Sequence, residues 1–461
     1  MLSDKPICAI STPPGMGGIA VARVSGDKAI EIVDKIWCGK PLSSAKTHTA
    51  HYGDILDAEG NILDSGVATV FLGPKSYTGE NTVEISVHGS RYIQHQLINS
   101  LVAVGCRIAE PGEFTKRAFA NGNLDLASAE AVADMIASES KAAHAIAVRQ
   151  MKGDYSRRLE DLRSKLLDLA SLLELELDFS EEDVEFASRG TLLDTAKQVR
   201  ETVRALVDSF KKGSAIKNGV PVAIVGNPNA GKSTLLNTLL AEDRALVSPI
   251  SGTTRDTIEE TIDIDGVRFR LIDTAGLRQT EDTIEQLGID RAKEKIANAA
   301  TVIWLVDGEK LSGCDIKYVV QVAAQRAEIE KTMNPDARLI GVMNKSELLD
   351  CGIPDGLKIE LLISAKENRG VEDLKELLVE EARKGMPEEA ALIVTNARHY
   401  ESLRMAAESL DAVIAGLENG LSGDFIAQDL RQVNHHLGAI TGAITTGEIL
   451  STVFSRFCIG K

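Results

Sequence analysis

The chain has 461 residues, of which 44% are hydrophobic and 26% are charged, so it is long enough for several domains and apolar enough to bury their cores. Its formal net charge of -17 argues against a protein that coats nucleic acid through a general basic surface, because neutralising phosphates requires clustered Lys and Arg. The six cysteines include no C-x-x-C pair, which favours a reducing compartment over a disulfide framework or a zinc site.

The first two regions of the chain differ in residue composition and spacing. Residues 1–120 contain short β-rich runs at 19–24, 67–72 and 83–87 between glycine and proline turns, which predicts an α+β domain. Residues 121–216 contain no proline and carry leucines at three- and four-residue spacing, which predicts the first half of a helical domain. The leucines of this stripe are Leu159, Leu162, Leu166, Leu169 and Leu173.

The third region, residues 217–382, alternates apolar runs with helical segments, which is typical of a parallel sheet flanked by helices. Asp265 and Gly266 lie between two alternating runs and predict a hairpin turn. Residues 383–461 are helical again, so we expect the α/β domain to be inserted into the helical domain. The apolar runs that predict parallel strands are 222–225, 269–272, 302–306 and 339–342.

The N-terminal residues lack a basic segment followed by an apolar stretch, so they do not predict a signal peptide. No apolar run approaches the roughly 18 residues of a membrane helix. We therefore expect a cytoplasmic protein that does not engage a membrane.

Residues 226–233, GNPNAGKS, match the phosphate-binding loop G-x-x-x-x-G-K-[ST] between an apolar strand and a predicted helix. The glycines allow backbone N–H groups to face phosphate oxygens, and the helix N-terminus adds partial positive charge. Lys232 is expected to contact the β- and γ-phosphates, and Ser233 to bind Mg²⁺. The predicted nucleotide contacts in this loop are Asn229, Ala230, Gly231, Lys232, Ser233 and Thr234.

Four further motifs follow, each at the end of a predicted strand or in the loop beyond it: GTTRD, DTAG, NKSE and SAK. Their order resembles that of the Ras-like GTPases, which implies a GTP site with Thr254 as a second Mg²⁺ ligand. Glu347 stands where that set usually has Asp, and its carboxylate still accepts from the guanine N1–H and amine. The further contacts implied are Ser248, Thr253, Thr254, Asp273, Thr274, Ala275, Gly276, Asn344, Lys345, Glu347, Ser364, Ala365 and Lys366.

The chain as a whole resembles the MnmE (TrmE) family of tRNA-modification GTPases. The resemblance rests on the GTPase motifs together with PPGMGGIAVARVSG, SYTGENTVEISVHG, EPGEFTKRAF, LDLASAEAV and the C-terminal FCIGK. It therefore extends from one end of the chain to the other. It implies an N-terminal domain with a tetrahydrofolate-binding fold that forms a homodimer.

The mechanism of hydrolysis is also implied by the resemblance. Leu277 stands where Ras has a water-positioning Gln, and a leucine cannot orient water. The family pattern assigns that role to Glu285, and Lys232 is the second residue expected to act in catalysis, through the phosphates. It also implies a K⁺ ion that replaces an arginine finger when two GTPase domains meet. The implied K⁺ ligands are Asn229, Ser248, Ile250 and Thr253.

The resemblance implies a second ligand site for a tetrahydrofolate derivative, in the 5-formyl or methylene form. Arg23 suits carboxylates of that ligand and Glu80 suits its pterin N–H donors. Asn123 stands where the family pattern often has Lys, and Lys461 completes the set. Cys458 is implied in the modification chemistry, as a residue the reaction needs.

Together these features imply a K⁺-activated GTP hydrolase that works with a flavin-bearing MnmG-type partner in a heterotetramer. The pair would add an aminomethyl or carboxymethylaminomethyl group at carbon 5 of wobble uridine in tRNA. One alternative is a ribosome-assembly GTPase of the Era or Der type, although this acidic chain lacks a basic C-terminal module with a G-x-x-G segment. The other is a regulatory GTP switch, for which Arg23, Glu80 and Cys458 would be dispensable.

Overall fold

The computed structural model describes residues 5–178, 189–244, 259–273, 293–311, 316–349, 352–354, 356–384, 392–455, 457 and 460. The chain forms two compact units. One comprises Met1–Ala137, Ala147–Val203 and Ser402–Lys461, and the other comprises Ser138–Ile146 and Arg204–Glu401. The predicted domain limits 1–120, 121–216, 217–382 and 383–461 stay predictions. No helix in the described ranges is both long enough and apolar enough to cross a membrane.

The first unit contains a seven-stranded sheet. Its strands are β1 (Ile7–Ile10), β2 (Gly17–Ser25), β3 (Trp37–Cys38), β4 (Thr49–Leu56), β5 (Ile62–Phe71), β6 (Thr82–Gly89) and β7 (Arg107–Ile108). Their order is β3-β4-β5-β6-β2-β1-β7, and every pair is antiparallel except β1 with β7. The predicted strands at 19–24, 67–72 and 83–87 are confirmed as parts of β2, β5 and β6.

Two helices, α1 (Ala29–Asp34) and α2 (Arg91–Ala103), cover the buried face of this sheet. Successive strand side chains point to opposite faces, so alternate residues enter the core. The core there includes Val24, Ile55, Val70, Val83, Ile85, Leu97 and Leu101. The next helices are α3 (Glu113–Ala120), α4 (Leu126–Ala137), α5 (Lys141–Met151), α6 (Asp154–Asp178) and α7 (Arg189–Asn218).

The leucine stripe predicted in the helical region lies on α6, and all five leucines are buried. The three- and four-residue spacing places them on one face of the helix. The prediction of a helix with a core-facing leucine stripe is therefore confirmed.

The second unit contains a six-stranded sheet. In chain order it comprises β8 (Val220–Gly226), α8 (Lys232–Arg244), β9 (Glu259–Ile264), β10 (Val267–Asp273), β11 (Thr301–Asp307), α9 (Gly308–Leu311), α10 (Ile316–Thr332), β12 (Arg338–Asn344), β13 (Leu361–Leu362) and α11 (Val371–Lys384). The strand order is β13-β12-β11-β8-β10-β9, and only β9 among these strands runs antiparallel to its neighbour. All four predicted parallel strands are confirmed.

Both faces of this sheet are covered, as expected for parallel strands. All seven residues of β11 are buried. The predicted hairpin joins β9 and β10, and Asp265 and Gly266 have φ values of 51° and 76°. These left-handed values match the tight turn of a two-residue hairpin.

The chain ends in α12 (Ala397–Glu418), α13 (Gly423–Thr441) and α14 (Gly447–Phe454). Helix α13 packs along α6. Gly438 on α13 lies close to Arg163 on α6, since a Cβ added at Gly438 would be 3.4 Å from Cζ of Arg163. Residues 402–461 belong to the same unit as residues 147–203, so the α/β unit is inserted within the helical part of the chain.

Candidate functional site

The loop between β8 and α8 has the backbone geometry of an anion site. Asn229 and Gly231 adopt left-handed φ values of 69° and 92°. A Cβ at Gly231 would lie 2.1 Å from Nδ2 of Asn344, so only glycine fits there. The first turn of α8 follows directly, and its N–H groups lack helical acceptors. This combination of left-handed loop backbone and helix dipole fits the phosphates of a nucleotide.

Lys232 places its ammonium group over the same loop. Its Nζ donates to the carbonyl oxygens of Gly226 at 2.8 Å and Asn227 at 2.9 Å. Ser233 and Thr234 are exposed at the start of α8. These two hydrogen bonds hold the ammonium group of Lys232 at the position that the sequence motif predicts. A phosphate oxygen bound there would compete with the two carbonyl oxygens for the ammonium protons.

Asn344, the last residue of β12, joins three of the predicted motifs. It is 3% exposed. Its Nδ2 donates to the carbonyl of Ala230 at 2.9 Å, and its Oδ1 accepts from the amide of Ala365 at 2.9 Å. A single buried side chain therefore brings the phosphate loop and the 364–366 segment together, at the carboxyl edge where α/β ligand sites lie.

Lys345 follows with a left-handed φ of 60°. Its Nζ donates to Oε2 of Glu309 at 2.8 Å and to Oδ2 of Asp307 at 2.9 Å. These two carboxylates raise the pKa of Lys345, and the ammonium lowers the pKa of Glu309. Sequence reasoning missed both acids, although the position of Asp307 at the end of an apolar strand was a usable signal.

The remaining residues that were predicted to contact the guanine base differ in exposure. Glu347 is exposed in the short 3₁₀ turn Ser346–Leu348. Lys366 is also exposed, whereas Ser364 is buried and its Oγ accepts from the amide of Glu367 at 3.3 Å. The structure thus leaves the Glu347 carboxylate accessible to a ligand.

Several predicted site residues lie outside the described residues. Asp273 is described only as the last residue of β10. The others are Ser248, Ile250, Thr253, Thr254, Thr274, Ala275, Gly276, Leu277, Glu285, Cys458 and Lys461.

A second cluster surrounds Arg23 in the first unit. Arg23 faces Glu84 across the β2–β6 pairing, and its Nε and Nη2 lie 2.9 Å and 2.8 Å from Oε1 of Glu84. Its guanidinium also lies 5.3 Å from the ring centre of Tyr77 and 5.6 Å from that of Phe114, within cation–π range. Sequence reasoning missed Glu84, because its contact depends on the strand register.

Glu80 is held by buried donors beside this cluster. Nη1 of Arg117 donates to both carboxylate oxygens of Glu80 at 3.0 Å, and Oγ of Ser25 donates to Oε2 at 2.8 Å. Arg117 is only 3% exposed and also pairs with Glu113. Ser25 and Arg23 are two residues apart on β2 and therefore share a face. Arg117 lies within the EPGEFTKRAF segment but was not predicted as a site residue.

Asn123 and Gly460 lie in the same unit as this cluster. Nδ2 of Asn123 donates to the carbonyls of Ser76 at 2.9 Å and Tyr77 at 3.3 Å, which ties down the loop that precedes Glu80. Oγ of Ser11 donates to the carbonyl of Gly460 at 3.2 Å. A Cβ at Gly460 would lie 2.3 Å from the carbonyl oxygen of Ile10, so this tail residue packs closely on the end of β1.

Comparisons with known proteins agree along the whole chain. Residues 6–123 match the family model described as GTP-binding protein TrmE N-terminus, and residues 126–458 match the one described as MnmE helical domain. A protein of Christiangramia forsetii is 49% identical over 100% of both chains, and one of Flavobacterium psychrophilum is 48% identical over 100% of both. One of Porphyromonas gingivalis is 48% identical over 99% of this chain and 98% of its own. All three are named tRNA modification GTPase MnmE, and this chain belongs to the MnmE family.

Proposed function

We propose that this protein hydrolyses GTP and that the hydrolysis serves tRNA modification. The observation that carries the proposal is the nucleotide site itself: the phosphate loop, Lys232 and the Asn344–Ala365 contact meet at one edge of the sheet. The full-length identity of 49% to a protein named tRNA modification GTPase MnmE supports the second half of the proposal.

The nucleotide is bound at its two ends by different elements. The N-terminus of α8 and Lys232 bind the phosphates, since both supply positive charge to the loop. Asn344, Lys345 and the 364–366 segment hold the guanine, and the Glu347 carboxylate accepts from its N1–H and amine. A site built around such donors rejects other bases by roughly 10⁴-fold.

Two cations complete the phosphate end. Ser233 and Thr254 hold Mg²⁺, which neutralises charge on the phosphates. Asn229, with oxygens of Ser248, Ile250 and Thr253, holds K⁺ when two GTPase domains associate. The exposed position of Asn229 on the loop supports this role. A positive charge there, like an arginine finger, is worth about 10³ to 10⁵ in rate.

Glu285 orients the attacking water, because Leu277 has no polar group for that purpose. Lys232 stabilises the charge that develops on the phosphate oxygens during bond cleavage. These assignments give each step a residue of suitable chemistry.

A tetrahydrofolate derivative, in the 5-formyl or methylene form, binds the first unit near Arg23, Glu80, Asn123 and Lys461. The aromatic rings beside Arg23 and the fixed carboxylate of Glu80 suit a flat heterocycle with N–H donors. We further propose a homodimer that joins a flavin-bearing MnmG-type partner in the cytoplasm. Cys458 takes part in adding the aminomethyl or carboxymethylaminomethyl group at carbon 5 of wobble uridine.

The first test is GTP turnover by the purified protein in matched KCl and NaCl, followed together with its oligomeric state. We expect a K⁺-specific rise that accompanies association of the GTPase domains. Asn229→Ala should bind GDP normally and lose the K⁺ stimulation, a loss of about tenfold or more in turnover. Equal rates of the native protein in both salts would contradict the K⁺ site, and no turnover in either would contradict GTP hydrolysis.

The genes for the native protein and for Asn229→Ala test the tRNA role in a bacterial strain whose own gene for the corresponding protein has been deleted. The native gene should restore modification of wobble uridine, as measured by mass spectrometry of tRNA nucleosides, and Asn229→Ala should not. Normal GTP turnover in vitro without restored modification by the native gene would overturn the tRNA role alone.

A further inference from the structure

The backbone of Ala365 is held at both its N–H and its C=O by side chains of other elements. Its N–H donates to Oδ1 of Asn344 at 2.9 Å, and its carbonyl accepts from Oγ1 of Thr238 at 2.9 Å. Ala365 is 3% exposed, so both polar groups need protein partners. Thr238 lies on α8, the helix that begins at Lys232.

The hydroxyl of Thr238 has one proton and two carbonyl oxygens within reach. It lies 2.9 Å from the carbonyl of Thr234, on its own helix, and 2.9 Å from that of Ala365. The Thr234 carbonyl also accepts the backbone N–H of residue 238 in the helical pattern. It therefore keeps a partner when the hydroxyl proton points to Ala365, whereas the buried Ala365 carbonyl benefits from that proton directly.

The direction of the Ala365 carbonyl also sets the direction of the next amide. A trans peptide is planar, so its N–H points opposite to its C=O. When Thr238 holds the Ala365 carbonyl against α8, the N–H of Lys366 points away from α8. The segment proposed to read guanine is thus oriented by the helix that binds the phosphates.

We propose that Thr238 is a positioning residue that couples the guanine-reading segment 364–366 to the phosphate-binding helix α8. This inference rests on the proposed GTP site and concerns how its two halves are kept in register. Thr238 itself contacts neither phosphate nor base in this proposal.

The test compares GDP dissociation constants of the full-length protein and Thr238→Val, which keeps the branched shape and removes the hydroxyl. Loss of one neutral hydrogen bond predicts about fivefold weaker binding of GDP. The turnover rate at saturating GTP in KCl should not change, because the reacting groups are untouched. Thr238→Ser, which keeps the hydroxyl, should bind GDP like the native protein.

Thr332→Val provides a matched control, because the Thr332 hydroxyl donates to the carbonyl of Glu328 on its own helix at 2.9 Å. It should leave GDP binding unchanged. Native GDP affinity in Thr238→Val, or equal weakening in Thr238→Ser, would overturn the inference. Failure of the native protein to bind GDP would overturn the proposed function instead, so the two failures are distinguishable.

Discussion

At the scale of single residues, the nucleotide site depends on side chains that act on backbone groups. Asn344 binds one carbonyl and one amide from segments far away in the chain. The same contact requires glycine at position 231, since a Cβ there would overlap the Asn344 amide. The sequence motifs name both residues, but only the fold shows that one requires the other.

Glu347 allows a residue-scale prediction about the base. Its exposed carboxylate is expected to form charge-assisted hydrogen bonds with guanine, which are worth about 1.5–3 kcal/mol each. Glu347→Ala should therefore weaken GDP binding by at least about tenfold, measured by titration of a fluorescent GDP analogue. Glu367→Ala, at an exposed residue that pairs with Arg369, is the control and should bind GDP normally. Similar affinities for both variants would show that Glu347 does not contact the base.

Residues that act through register or tertiary contact could not be predicted from the sequence. Arg23 was predicted as a ligand residue, but its partner Glu84 follows from the β2–β6 pairing, which no local motif encodes. Likewise Thr238 carries no motif of its own, because its partner Ala365 lies in a segment many residues away. The motifs predicted which segments meet, and the packing determined which side chains join them.

At the scale of elements, α3 brings buried charges to the first unit. Glu113 is 4% exposed and pairs with Arg107 and Arg117. Burial acts to raise the pKa of Glu113, but hydrogen bonds from Arg107 and from the amide of Glu110 outweigh it and hold the pKa below its ordinary value. A lowered pKa in the folded state stabilises the fold above the ordinary pKa of the acid, and that stabilisation is lost as the pH falls.

We therefore expect the free energy of unfolding of the first unit to fall as the pH drops below the ordinary pKa of a glutamate, about 4.5. Glu113→Gln should cost about 2 kcal/mol at pH 7 and should flatten this pH dependence. The measurement is urea unfolding followed by tryptophan fluorescence, with and without Glu113→Gln in a protein that also carries Trp304→Phe. Trp37 is then the only tryptophan in the sequence, so the fluorescence reports on the first unit. An unchanged pH slope in Glu113→Gln would show that other carboxyl groups cause the acid loss.

The longer strands could be predicted from the sequence, whereas the shortest strands could not. The apolar runs of β8, β10, β11 and β12 were long enough to predict strands. The strands β3 and β7 contain two residues each, too few to show any alternation, and their pairing is imposed by longer neighbours. Short edge strands of this kind arise from tertiary context rather than from local pattern.

At the scale of the whole molecule, the two units each contain one of the two tryptophans, Trp37 and Trp304. The described residues of the proposed nucleotide site all belong to the second unit. A ligand stabilises the state that binds it. GDP at 100 times its dissociation constant should therefore raise the free energy of unfolding of that unit by about 2.7 kcal/mol.

The prediction is checked by urea unfolding with and without GDP in Trp37→Phe, which reports on Trp304, and in Trp304→Phe, which reports on Trp37. GDP should shift the first transition and leave the second unchanged. Equal shifts in both variants would mean that the two units unfold as one cooperative body, contrary to this expectation.

The contact between Ser11 and Gly460 has a consequence for biosynthesis. It joins residues 449 positions apart, within a unit whose three segments surround the other unit in the chain. Residues 204–401 leave the ribosome before residue 460 does, and domains generally fold as units while they emerge. The inserted unit can therefore reach its native state on the nascent chain, whereas the unit that contains the beginning of the chain must wait, partly assembled, for its last segment. Chaperone dependence during translation is accordingly expected to fall on the first-made part of the protein.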